Sequence, residues 1–154
     1  MTQRARPAFL LRLLTACRLA PAIALLAALN LVSPAIATED GISLELSSAK
    51  TVSEACETSF VVRNGLPHTL DRFQLDLYVF DTDGVIKSRS TIDLAPLRAD
   101  KSTVLAFRLH AAPCASVSKV LVNDIPLCRA ESGTVLDCLA GLSVSSRHSI
   151  ELAQ

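Results

Sequence analysis

Apolar and polar residues alternate one for one along most of the chain beyond residue 40. That period of two belongs to a strand with one face buried and the other in water. Ile42, Leu44 and Leu46 share one face, with Ser43 and Glu45 opposite. Phe60 and Val62 alternate with Val61 and Arg63, and Phe73, Leu75, Leu77 and Val79 alternate with Gln74, Asp76, Tyr78 and Phe80. Asp81-Thr82-Asp83-Gly84 has the composition of a hairpin turn, and a return strand follows from Val85 to about Leu94. A turn around Arg98 to Lys101 precedes the stripe Leu105, Phe107, Leu109. Val117 to Val122 reads as a further strand ended by Asn123-Asp124, and Leu142, Val144, Ile150 and Leu152 mark a last one. Seven strands separated by short turns predict a two-sheet sandwich. Thr134 to Ala140 is the single helical candidate, and it is short.

The first 37 residues read differently. Arg4, Arg6, Arg12 and Arg18 form a basic start without an acid, Leu19 to Val32 is apolar, and Ala35-Ile36-Ala37 offers small residues at the two positions a signal peptidase reads. The expectation is an export signal cleaved after Ala37, with Thr38 as the new first residue, in the periplasm or secreted. Retention as an anchor is the alternative; Pro34 and the small-residue exit argue against it. Leu14-Thr15-Ala16-Cys17 fits a lipoprotein box, but it precedes most of the apolar core and Arg18 follows it. No adjacent arginine pair supports a twin-arginine signal.

Cleavage would leave about 117 residues, enough for one modest core. It would also leave 11 basic against 15 acidic residues, a net charge of −4. That balance disfavours nucleic acid as a partner, because phosphate recognition needs a basic stripe. With no Trp and one Tyr, the core must be aliphatic, with Phe60, Phe73, Phe80 and Phe107 as its bulky members.

Four cysteines remain after Cys17 leaves: Cys56, Cys114, Cys128 and Cys138. An even count in an oxidising compartment predicts two disulfides. Metal ligation and thioredoxin-like redox chemistry both want C-x-x-C, and the shortest spacing here is ten residues. No cofactor is expected. The chain has no G-x-S-x-G, P-loop, G-x-G-x-x-G or H-E-x-x-H motif. His68, His110 and His148 stand far apart in sequence; His148 shares the register of Val144 and Ile150, which predicts a half-buried, hydrogen-bonded strand histidine. Asp81-Thr82-Asp83-Gly84 lacks the Gly and Glu positions of a calcium loop, and a copper carrier would want Met and His clusters.

Three segments together resemble an immunoglobulin-like sandwich of the FxLYD kind: Phe60-Val61-Val62-Arg63-Asn64, Phe73-Gln74-Leu75-Asp76-Leu77-Tyr78 through Asp83-Gly84-Val85, and Leu94 to Leu109. The chain also resembles small exported bacterial proteins of unassigned function. The likeness covers about half of the part beyond residue 37. It implies a fold and no chemistry. An immunoglobulin-like order places the second strand antiparallel to the fifth, which implies the pairs Cys56–Cys114 and Cys128–Cys138.

The expected function is a non-catalytic binding or assembly module for a protein or envelope component, with no membrane contact after cleavage. The alternative is an inhibitor of a secreted enzyme presenting a rigid loop near Asp124-Ile125-Pro126-Leu127; an enzyme with a site assembled across loops is a third class. Alternation points Tyr78 and Phe80 outward, with Val61 outward on what is expected to be the neighbouring strand, a candidate binding patch. The competing expectation is that Val135, Leu136, Leu139 and Leu142 fold back over it.

Overall fold

The computed structural model describes residues 41–154. The expected leader, its cleavage after Ala37 and the start at Thr38 lie outside the described residues. Among the described residues eight strands run in chain order: β1 (Ile42–Val52), β2 (Ala55–Asn64), β3 (Leu70–Asp81), β4 (Ile86–Asp93), β5 (Lys101–His110), β6 (Val117–Ala130), β7 (Leu142–Ser146) and β8 (Glu151–Ala153). They form two four-stranded sheets, ordered β5-β2-β1-β7 and β4-β3-β6-β8. Each sheet is antiparallel except for its last pair, since β1–β7 and β6–β8 are parallel.

The core lies between the sheets, as the alternation requires. Ile42, Leu44, Leu46, Phe60 and Val62 come from one sheet, and Phe73, Leu75, Leu77, Val79, Val120 and Val122 from the other. Phe60 and Phe73 are fully buried. Phe107 is half-buried and stacks on Phe60 with ring centroids 5.2 Å apart. Phe80 is not a core residue; it sits on the outer face of β3, as its alternation phase requires. Both disulfides form as expected, Cys56–Cys114 with Cα atoms 4.6 Å apart and Cys128–Cys138 at 6.1 Å.

Three elements depart from the sequence reading. Residues 134–140 form no helix. Their backbone instead runs beside the end of β6, with Ala130 N–H donating to the Thr134 carbonyl and Leu136 N–H to the Cys128 carbonyl. The Cys128–Cys138 bridge and the β-branched Thr134 and Val135 hold this extended path against a short helix. Strand β6 does not stop at Asn123-Asp124. It continues to Ala130, with register shifts against β3 around Asp76, and such bulges absorb turn-like residues without ending a strand. Pro126 is tolerated there because β8 pairs only with Lys119 to Leu121, which leaves the far edge open.

The last apolar stripe divides between the sheets. β7 adds to β1 and β8 adds to β6, and the crossing bend is organised by Ser146. Its hydroxyl donates to the Ile150 carbonyl at 2.6 Å and accepts from the His148 N–H at 3.1 Å. His148 is therefore half-buried and hydrogen-bonded, its Nδ1 accepting from the Ile150 N–H, but it stands in this bend and not on a strand.

Fully buried Asn64 closes the end of β2. Its amide donates to the carbonyls of His68 and Leu97 at 2.8 and 3.1 Å, and its side-chain oxygen accepts from Leu66 N–H at 3.0 Å. Among the described residues no buried side-chain polar atom lacks a partner.

Candidate functional site

The outer face of β3 carries Asp76, Tyr78 and Phe80 in consecutive rows. The turn from Asp81 to Val85 joins β3 to β4, one of the two strands that flank them. The Asp81 carboxylate accepts from the N–H groups of Asp83 and Val85 at 3.0 and 2.8 Å and meets Lys87 Nζ at 2.9 Å. These contacts hold the Asp81 carboxyl below the usual aspartate range, with the Lys87 hydrogen bond the largest cause. The expected hairpin turn is present. Pairing with β4 puts Ile86 beside Phe80 and, past a bulge between Val79 and Phe80, Arg89 beside Tyr78; pairing with β6 puts Lys119 and Leu121 on their other side.

Each aromatic ring is capped by a cation. The Arg89 guanidinium lies 5.4 Å from the Tyr78 ring centroid, and Lys119 Nζ lies 4.8 Å from that of Phe80. Both distances fall within cation–π range. Arg89 is fixed from below by Asp76, whose two oxygens accept from its Nε and Nη2 atoms at 2.8 and 3.0 Å. Asn123 Nδ2 donates to the same carboxylate at 3.1 Å. The Arg89 hydrogen bonds are the chief reason that the Asp76 carboxyl is held below its usual range; burial opposes them and Asn123 assists. Asp76 is only 3% exposed, so its charge is neutralised in place. Lys119 forms no salt bridge among the described residues. Val85 and Ile86, each 52% exposed, extend the apolar part of the face toward the turn.

Two expectations about this patch need correction. Val61 does not adjoin Tyr78, because β2 and β3 lie in different sheets. Val61 faces outward on the opposite side of the sandwich, beside Glu45 and Val104. Chain order misleads here because the connection from β2 to β3 crosses between sheets. Nor does the segment from Val135 to Leu142 cover Tyr78 and Phe80. It pairs with the end of β6, and Leu136 packs against the core edge. There Leu136 and Cys138 line a cavity of about 320 Å³ with Ile42, Leu66, Pro67 and His68.

The sequence reading missed the cations. Arg89 and Lys119 are unremarkable by composition, and only the strand register puts them over the rings. Turn length alone would not have found Arg89: the pairing of Phe80 with Ile86 next to the turn leads to Ser88 opposite Tyr78, and a bulge between Val79 and Phe80 brings Arg89 there instead. The histidines do not converge. His68 lines the cavity beside Cys138, His148 sits in the β7–β8 bend, and His110 Nδ1 lies 3.1 Å from Ser88 Oγ, linking the edges of the two sheets. Among the described residues, no group of three or more His, Cys, Asp or Glu could hold a metal ion. Among the same residues no helix is long and apolar enough to cross a membrane. No family model, curated protein or solved structure matches the chain.

Proposed function

We propose that this chain is a non-catalytic binding or assembly module of the periplasm or the secreted space, exported by its N-terminal signal. In this reading it is an immunoglobulin-like domain that docks a protein partner through the outer face of β3. The observation that carries the reading is the pair of cation-capped rings, Tyr78 under Arg89 and Phe80 under Lys119. Tyr and Arg are enriched where binding energy concentrates. Arg89 is held in position before any partner arrives, which lowers the ordering cost of association. Exposed Arg89 and half-buried Lys119 fit a partner surface that combines apolar side chains with carboxylates. The antiparallel β2–β5 pairing and the placement of β3 between β4 and β6 support the immunoglobulin-like reading, and the two disulfides suit an oxidising compartment. The inhibitor reading loses its proposed loop, because Asp124 to Leu127 run inside β6.

Photocrosslinking in living cells from position 78, with position 59 on the opposite face as control, tests the proposal. Capture of one partner from position 78 alone, lost in Lys119→Glu with the melting temperature unchanged, is the expected result. Equal capture from both positions, or capture indifferent to Lys119→Glu, would overturn it.

A further inference from the structure

The other outer face of the sandwich carries a different chemistry. Across the four strands β5-β2-β1-β7, the register aligns Ser102, Arg63, Ser43 and Ser143 in one row. The next row is Val104, Val61, Glu45 and Ser145. With Arg147, all of these except Val104 border a shallow groove of about 430 Å³. The two guanidinium groups differ. Arg147 is neutralised by Glu45 at 2.9 Å, whereas Arg63 forms no salt bridge among the described residues. We propose that this face binds an acidic glycan, with the Arg63 guanidinium holding a uronate carboxylate and the Ser43 and Ser102 hydroxyls on either side of it meeting sugar hydroxyls.

Three features point to this class of ligand. Strands stand about 4.8 Å apart, so the row Ser102, Arg63, Ser43 spans about 10 Å, longer than any single oxyanion, and fits a linear chain of polar repeats. A planar guanidinium recognises carboxylate through two parallel hydrogen bonds, and hydroxyls can both donate and accept, as sugar hydroxyls do. Val61 and Val104, the latter 68% exposed, give the C–H faces of the rings an apolar strip beside the polar row. The face is also open to a polymer, because it is a sheet surface and not a closed cavity. This site lies on the opposite side of the sandwich from Tyr78, so it stands or falls independently of the protein-docking reading.

The test is titration of the exported, disulfide-bonded protein with tetragalacturonate, followed by backbone amide shifts. Saturable shifts at residues 43, 63, 102 and 143 are expected. Arg63→Gln should weaken binding at least about tenfold, the loss of a charge-assisted bidentate contact, and Arg63→Lys should recover only part of it. The double variant Ser43→Ala, Ser102→Ala should weaken binding with Arg63 intact, and the melting temperature of each variant should match the parent. Neutral maltotetraose and inorganic phosphate are the controls, and both should bind at least about tenfold more weakly. The proposal is overturned by no saturable shift, by affinity indifferent to Arg63→Gln, by equal binding of maltotetraose, or by phosphate binding as well as the oligomer.

Discussion

Leu77 and Tyr78 are neighbours in sequence and opposites in environment. Leu77 is fully buried between the sheets, while Tyr78 lies half-buried on the outer face under Arg89. Leu77→Ala should therefore cost about 2–5 kcal/mol, the range for emptying a buried leucine site. Tyr78→Ala should cost no more than about 1 kcal/mol, the scale of a cross-strand or cation–π contact. Denaturant unfolding of the two variants measures both, and the reverse order of costs would invert the face assignment of β3 and with it the candidate site. Ser146 carries a comparable test at the strand crossing. Its hydroxyl is the shared partner of the Ile150 carbonyl and the His148 N–H, so Ser146→Ala should cost about 1 kcal/mol. Hydrogen exchange should show that loss at β8 before it shows anything at β2.

The two disulfides act on elements of different reach. Cys56–Cys114 joins residues 58 apart and ties the start of β2 to the turn after β5, while Cys128–Cys138 spans ten residues at the end of β6. Loop-closure entropy gives about 4 kcal/mol for the first and about 3 kcal/mol for the second. The pair Cys128→Ser, Cys138→Ser should thus be the milder change. Freed of the bridge, the 134–140 segment should loosen around Leu136 and the neighbouring cavity, raising the binding of dyes that report exposed apolar surface. Amide shifts at Tyr78 and Phe80 should stay put, because that segment does not cover them; a shift there would contradict its placement. Elements of this kind mark how far the sequence was legible. Alternation placed β1, β3 and β5 correctly because a one-residue slip would turn every side chain to the wrong face. The resemblance pointed to the right cysteine pairs. Local patterning did not give the division of β7 from β8 or the course of residues 134–140, since both depend on backbone partners far away in sequence. For the same reason the outward phase of Tyr78 and Phe80 was readable, whereas their cations and the true position of Val61 were not.

At the scale of the whole molecule, the carboxyls with lowered pKa gather in one sheet. Asp71, Asp76 and Asp81 all belong to β3, and Asp93 at the end of β4 bonds back to it. Asp71 accepts from Arg129 of β6 at 3.0 and 2.9 Å, Asp76 from Arg89 of β4, and Asp81 meets Lys87. Asp93 accepts from the N–H groups of Phe73 and Ala95. All four carboxyls are held below the ordinary aspartate value. For Asp71 and Asp81 the leading cause is a hydrogen bond from the paired cation, as it is for Asp76; for Asp93, burial pulls the other way and the two backbone N–H groups with Arg72 outweigh it. A carboxyl with a lowered folded-state pKa binds its proton more readily in the unfolded chain. Its contribution to stability is therefore complete above the unfolded value of about 3.9 and is lost as pH falls through the lower folded value. Stability should hold level above about pH 5 and drop below about pH 4. The drop should begin in the sheet that contains β3, because the first sheet has the single Glu45–Arg147 pair among the described residues. Hydrogen exchange followed from pH 6 to pH 2.5 would show this as earlier loss of protection in β3 and β4 than in β1 and β2. Asp76→Asn cannot ionise, so it should flatten the acid limb while lowering stability at neutral pH, where Arg89 loses its anchor. Simultaneous loss of protection in both sheets, or an acid limb unchanged by Asp76→Asn, would show that these carboxylates do not govern how the sandwich comes apart.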